Sequence, residues 1–168
     1  MTSFYKYKDM PGTKQINHDI DAKARSKRLA KRKPKTPAKL ANECAVDLQL
    51  LVRLKAADSD GNCQCVSCGA IKHWSEMQGG HYVGRGVSAT KLLEENINPQ
   101  CRRCNIRATE SHVGYTLHMI ETYGVDFIKH LRQMMTEVKK WRKTEILELH
   151  EDIKRQIAEQ KTRLGVGL

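Results

Sequence analysis

The sequence predicts an α+β fold, with a small metal-braced core flanked by N- and C-terminal α-helices. Three observations predict it. Of the 168 residues only 39% are hydrophobic and 5% aromatic, so apolar burial alone is a weak source of stability here. Four of the six cysteines form two Cys-x-x-Cys pairs, Cys65/Cys68 and Cys101/Cys104. On both sides of these pairs apolar residues recur at helical spacing. The stretch between them is irregular and punctuated by Gly69, Gly79, Gly80, Gly84 and Gly86.

Residues 1–37 read as a flexible basic arm. Positions 1–40 carry twelve Lys/Arg against three Asp, and nine basic residues with no acid lie between Lys23 and Lys39. Pro34 and Pro37 interrupt any helix there. The arm is either a nucleic-acid contact, with Lys31, Arg32 and Lys33 as phosphate-binding candidates, or a solubilising tail. The whole chain has a formal net charge of +11 and a pI near 9.5. That balance favours a polyanionic partner, nucleic acid before an anionic membrane surface. No apolar run approaches the roughly 18 residues that span a bilayer, and the N-terminus shows no signal-peptide apolar segment. A cytoplasmic protein with no membrane partner is expected.

Residues 38–62 hold an N-terminal helix, from about Ala38 to Ala57, on which Leu40, Cys44, Leu48, Leu51, Val52 and Leu54 share a face. Cys44 is expected to pack within that helix. The run Asp58-Ser59-Asp60-Gly61-Asn62 ends it with turn chemistry.

Residues 63–113 are the knuckle core. In a reducing compartment paired Cys-x-x-Cys motifs serve as metal ligands more readily than as disulfides. Two residues between thiolates let both sulfurs reach one ion at about 2.3 Å, and four thiolates close a tetrahedral shell. Cys65, Cys68, Cys101 and Cys104 are therefore expected to hold a structural Zn²⁺. Such an ion supplies roughly 10–16 kcal/mol in zinc-finger peptides, comparable with a domain's whole stability. Gly69 provides the positive φ that a knuckle turn requires. Cys63, two residues before Cys65, is a competing ligand.

Residues 114–168 are a C-terminal helical region. Arg102 to about His112 starts a helix directly off the second pair. Leu117, Ile120, Phe127, Ile128 and Leu131 continue at helical spacing after Gly114. From Lys143 to Leu164, Ile146, Leu149, Ile153 and Ile157 form one stripe. That stripe either folds back on the core or builds a homodimer.

Between the knuckles lies Gly79-Gly80-His81-Tyr82, and Asn96, Asn98 and Asn105 bracket the second pair. Here the sequence resembles the HNH (ββα-metal) nucleases, in which a histidine ends the first strand, an asparagine follows in the loop and a third residue opens the helix. The matching positions are His81, Asn96 and Asn105. The Cys-x-x-Cys-Asn arrangement is like that of the junction-resolving phage endonuclease VII. Over about residues 40–160 the set Cys-Val-Ser-Cys-Gly, Gly-His-Tyr and Asn-Ile-Asn-Pro-Gln-Cys-Arg-Arg-Cys-Asn resembles the NinG/Rap recombination proteins of lambda-like phages. The resemblance implies a structure-specific endonuclease acting on branched intermediates such as Holliday junctions and displacement loops, alongside other recombination proteins.

The chemistry fits those residue types. Phosphodiester hydrolysis needs an activated water, a Lewis acid and positioning. A neutral His81 can take the proton from water, and Asn96 can orient its ring by a hydrogen bond. Asn105 offers a hard amide oxygen suited to Mg²⁺ or Mn²⁺. Many HNH enzymes carry a metal-binding Asp or His just before the base, where this chain has Gly80. Gln78 and Glu76 are substitutes, as is His112 if the helix from Arg102 continues for two turns beyond Asn105. The alternative for His112 is a surface histidine. Arg85, Arg102, Arg103 and Arg107 are candidate phosphate clamps or solvated surface. Tyr82 either supports the strand or packs. A homodimer would suit a two-fold junction. A non-catalytic zinc module that binds nucleic acid, and an adaptor joining helical arms, are the other readings.

Overall fold

The computed structural model describes residues 34–166 and, before them, Ala22 alone. The chain divides into two units, Met1–Lys35 and Thr36–Leu168, and the elements that follow belong to the second. Lys31, Arg32 and Lys33 lie outside the described residues.

Helix α1 spans Pro37–Lys55. Thr36 caps it, its hydroxyl accepting from the Lys39 N–H at 3.3 Å. Pro37 opens the first turn, where a missing N–H leaves nothing unsatisfied. One face is buried through Leu40, Cys44, Leu48, Leu51 and Leu54. Cys44 packs there as a small hydrophobe, and burial pushes its thiol up to about 11. After the helix the Asp58 carboxylate accepts from the backbone N–H groups of Asp60 and Asn62, at 3.0 and 2.8 Å, which turns the chain.

Strands β1 (Asn62–Gln64) and β2 (Ile71–His73) form an antiparallel hairpin around the first knuckle. Strands β3 (Met77–His81) and β4 (Ile97–Cys101) form a second antiparallel pair. Its register sets Met77 opposite Cys101 and His81 opposite Ile97, so the cysteine and the histidine occupy opposite ends of one small sheet. Strand β4 runs directly into α2 (Arg102–Ile106), giving the order strand, strand, helix.

One expectation about the helices needs correction. Helix α2 does not continue to His112, because Arg107 at φ −98°, ψ 50° interrupts it before α3 (Ala108–Tyr123) begins. The apolar spacing from Leu117 to Leu131 belongs to two helices, α3 and α4 (Val125–Met134), separated by Gly124 at φ +82°. Periodicity is blind to a break that keeps the apolar phase.

Helix α5 (Lys143–Arg163) resolves the fate of the C-terminal stripe. Ile146, Ile153 and Ile157 are buried in one cluster with Leu40, Leu48, Leu51 and Leu54 of α1, and Leu149 packs at its edge. His150 Nε2 meets Asp47 Oδ2 at 2.6 Å, and the Arg163 guanidinium donates to the carbonyls of Leu54 and Ala57 at 2.7 and 3.0 Å. Both pairings advance along both helices, so α1 and α5 run in the same direction. Parallel neighbours cannot be joined by a short loop, so the knuckle core and α3–α4 form the crossover between them. A third cluster, Val83, Tyr115, Met119 and Leu131, packs α3 and α4 against the segment after β3.

Candidate functional site

The four-cysteine cluster assembles from two places in the chain. Cys65 and Cys68 sit on the β1–β2 turn, where Gly69 takes φ +74° and its N–H donates to the Cys65 carbonyl at 2.8 Å. Cys101 ends β4 and Cys104 lies in α2. The Val66 N–H donates to the Pro99 carbonyl at 3.0 Å, docking the first turn on β4. The four sulfurs all lie within 4.8 Å of one another, Cys68 and Cys101 at 3.9 Å. A tetrahedral zinc at about 2.3 Å from each sulfur sets them about 3.8 Å apart, so this set fits Zn²⁺. Burial pushes the Cys104 thiol up to about 12 and raises Cys65, while the Ala70 N–H brings Cys68 down to about 7. A divalent cation would let all four bind as thiolates. Cys63 is buried but lies outside the four-sulfur group.

At the other end of β3 a cleft of about 510 Å³ is lined by Gln49 and Arg53 of α1, Met77, Gln78, Gly79 and His81 of β3, Gly84, Arg85 and Asn105. Gln78 and His81 point to opposite faces of the strand, so the cleft wraps the free edge of β3. His81 Nε2 lies 3.2 Å from the Lys91 carbonyl. A carbonyl only accepts, so Nε2 carries the proton and Nδ1 keeps its lone pair. Burial lowers the His81 pKa to about 4, and the charges of Arg85 and Lys91 act in the same direction. The imidazole is thus a neutral proton acceptor at pH 7.

Asn105 Nδ2 donates to Gln78 Oε1 at 2.6 Å, tying α2 to β3 and leaving the Asn105 amide oxygen available. Asn96, fully buried, does not bond the His81 ring as expected. Its Oδ1 accepts from the Val83 N–H at 2.8 Å, and its Nδ2 donates to the carbonyls of Val83 and Thr90 at 3.0 and 3.1 Å. The ring meets the Lys91 carbonyl instead, one residue past the Thr90 carbonyl that Asn96 holds. The reason is distance along the chain: Asn96 precedes β4 and faces the loop that β3 and β4 enclose.

The other expected metal ligands fare differently. Gln78 lines the cleft. Glu76 is exposed and pairs with Lys72 at 3.4 Å. With α2 broken at Arg107 the two-turn phase from Asn105 is lost, and exposed His112 stacks on Tyr82 with ring centres 5.0 Å apart. Gly80 is explained by packing, since a Cβ there would stand 1.8 Å from Gln100 Oε1. Gln100 is held in turn by Ser67, its Nε2 donating to Oγ at 2.6 Å.

Of the candidate arginines only Arg85 lines the cleft. Arg103 and Arg107 line a separate pocket of about 260 Å³ beside Cys68 and Cys104, where Arg107 pairs with Glu110 at 3.6 Å. Arg102 is exposed at the start of α2.

Three contributors were missed by sequence reasoning. Arg53 reaches the cleft from α1, its guanidinium donating to the carbonyls of Gln49 (3.0 Å), Met77 (2.9 Å) and Trp74 (3.3 Å). Tyr115 braces the sheet by donating to the Gly80 carbonyl at 2.7 Å. Lys91 acts through its carbonyl, which carries no sequence signal at all. Among the described residues no carboxylate lines the cleft, so Arg53 and Arg85 make it an anion-attracting one.

No helix among the described residues is long and apolar enough to cross a membrane. No curated protein and no solved structure matches the chain. A family model described as the bacteriophage lambda NinG protein matches residues 4–163, nearly the whole length, and the chain belongs to that family.

Proposed function

We propose that this chain is a metal-dependent endonuclease of the HNH type that cuts branched DNA intermediates of phage recombination, Holliday junctions and displacement loops among them. One observation carries the reading. A neutral histidine with Nε2 anchored to the Lys91 carbonyl keeps Nδ1 free in a cleft shared with Asn105 and two arginines. His81 is the general base that takes a proton from water at Nδ1. Asn96 holds the loop that orients it, and the strand–strand–helix order of β3, β4 and α2 supports the assignment. Arg85 and Arg53 attract the phosphate.

The amide oxygens of Asn105 and Gln78 are hard donors of the kind Mg²⁺ or Mn²⁺ accepts, though with no carboxylate beside them the DNA phosphate would supply the negative charge. The ion, when bound, supplies Lewis-acid stabilisation of the phosphate and leaving oxygen. The same lack of a carboxylate favours a second reading, a non-catalytic zinc-stabilised DNA-binding module.

Wild type and His81→Ala on labelled four-way junction, flap and plain duplex, with Mg²⁺, Mn²⁺ or EDTA, separate the two. Branched-substrate cleavage that vanishes in EDTA and in the variant supports the nuclease. Tight junction binding by both proteins, with no cutting under any metal, leaves the binding module. A homodimer, with one site for each opposed strand, belongs to the nuclease reading. With the α5 stripe packed on α1, exposed apolar residues elsewhere, Val113, Leu117 and Ile120 of α3 among them, are what such a contact would use. A monomer in sedimentation with and without junction DNA would exclude it.

A further inference from the structure

Between α4 and α5 the chain crosses the loop that joins β3 to β4. Two hydrogen bonds tie this strap down, both to Ser88: the Lys139 N–H donates to Ser88 Oγ at 3.0 Å, and Trp141 Nε1 donates to the Ser88 carbonyl at 2.9 Å. Trp141 also packs against the α1–α5 cluster, and Lys139 Nζ lies 3.6 Å from its ring centre. The strap is therefore anchored by an aromatic residue while its charges stay outside. Lys139, Lys140, Arg142 and Lys143 are all exposed, and Glu137 is the only acid from Met135 to Lys143. Among the described residues none of these four cations forms an ion pair.

The anchor point places these charges beside the cleft. Ser88 follows Arg85 by three residues, so at most about 11 Å of chain separates them. That span is about three nucleotide steps along a duplex axis. Ser88 also precedes Lys91, whose carbonyl holds His81, by three residues. A row of like charges that form no ion pairs raises the potential around itself, and a polyanion relieves it by releasing its own counterions.

We propose that the strap from Lys139 to Lys143 is a DNA-contact site that grips backbone phosphates of the duplex arm flanking the cut; it rests on the nuclease reading for what lies in the cleft, but not for DNA binding itself. Through Ser88 and the loop that also carries Lys91, it has a defined position relative to His81. It therefore sets which phosphate enters the cleft as well as adding affinity.

The test is the full-length zinc-loaded protein against the variant Lys139→Ala/Lys140→Ala/Lys143→Ala, with Trp141 and Arg142 kept. Fluorescence anisotropy on labelled four-way junction and plain duplex, without added divalent ion, gives affinity as a function of salt. The slope of log K against log[salt] should flatten by about 0.9 for each phosphate no longer neutralised, about two to three in all, with the thermal transition unchanged. Affinity and slope equal to wild type would overturn the proposal. Absence of DNA binding by wild type would overturn it together with the DNA reading. Wild type that binds but does not cut when Mg²⁺ or Mn²⁺ is then supplied, with the slope still flattened in the variant, would sink the nuclease and leave the strap standing. A variant bound less tightly but with an unchanged slope would also overturn it, since counterion release would then not be involved.

Discussion

Gly80 and Gln100 occupy the same small space on β3 and β4: a methyl group at Gly80 would overlap the Gln100 amide oxygen, 1.8 Å from the ideal Cβ position. Gln100 cannot simply swing aside, because it donates to Ser67 on the first knuckle. The position before the histidine is thus closed to a metal-binding acid by packing. Gly80→Ala should destabilise the fold by about 1–3 kcal/mol, the ordinary range for overpacking. Gly80→Ala/Gln100→Ala should recover most of that loss. A denaturant double-mutant cycle measures the coupling, and additive losses would show that the two side chains do not compete.

Zinc should be inseparable from the fold. The four-sulfur group joins the β1–β2 turn to β4 and α2, and the apolar cluster around it consists mainly of Cys63, Cys65, Met77, Cys101 and Cys104. Removing an ion worth roughly 10–16 kcal/mol exceeds the stability of most domains. Cys101→Ser, or chelation, should abolish the cooperative thermal transition of the knuckle core, and metal analysis should show zinc content falling from about one per chain to none.

The depressed His81 pKa has a consequence for stability with a definite sign. Folded His81 titrates near 4 and its unfolded counterpart near 6.5. Between those values the unfolded chain binds more protons, so lowering the pH destabilises the folded state across that window and adds nothing below it. The limiting contribution is about 3 kcal/mol. His81→Asn should show a shallower loss of stability than wild type from pH 6.5 to 4, read from denaturation midpoints. Parallel curves would place the histidine in solvent.

Arg53 and Arg85 share the cleft but differ in what they hold. Arg53 satisfies three backbone carbonyls between α1 and β3, and unsatisfied buried partners cost about 1–3 kcal/mol each. Arg53→Ala should therefore lower both stability and cleavage. Arg85→Ala should leave the melting temperature nearly unchanged and, on the proposed nuclease reading, reduce junction cleavage by about 10–100-fold, as expected for one charge-assisted contact. Comparing thermal melts with cleavage rates tests the distinction.

Deleting the basic arm should stop at Lys35, because Thr36 caps α1. A chain starting at Thr36 should bind DNA more weakly with a flatter salt slope and, on the proposed nuclease reading, keep metal-dependent cutting. Unchanged affinity and slope would make the arm a tail. Removing Thr36 as well should cost about 1 kcal/mol of additional stability.

What the sequence determined by itself is local. Thr36-Pro37, the Asp58 turn, the cysteine spacing and the α5 stripe are each written within a few residues, because caps, turns, chelate bites and helical periodicity are short-range physics. The tertiary structure decided the rest. It set α5 parallel to α1, which depends on burying two faces together and not on either helix alone. It gave Asn96 to the loop backbone instead of the imidazole, and put Lys91's carbonyl where the ring needed an acceptor. It brought Arg53 from α1 into the cleft, and removed His112 by breaking the helix at Arg107. Apart from the break at Arg107, the partner is a backbone group or a distant residue, so the deciding energy is an interaction between segments that no local pattern records.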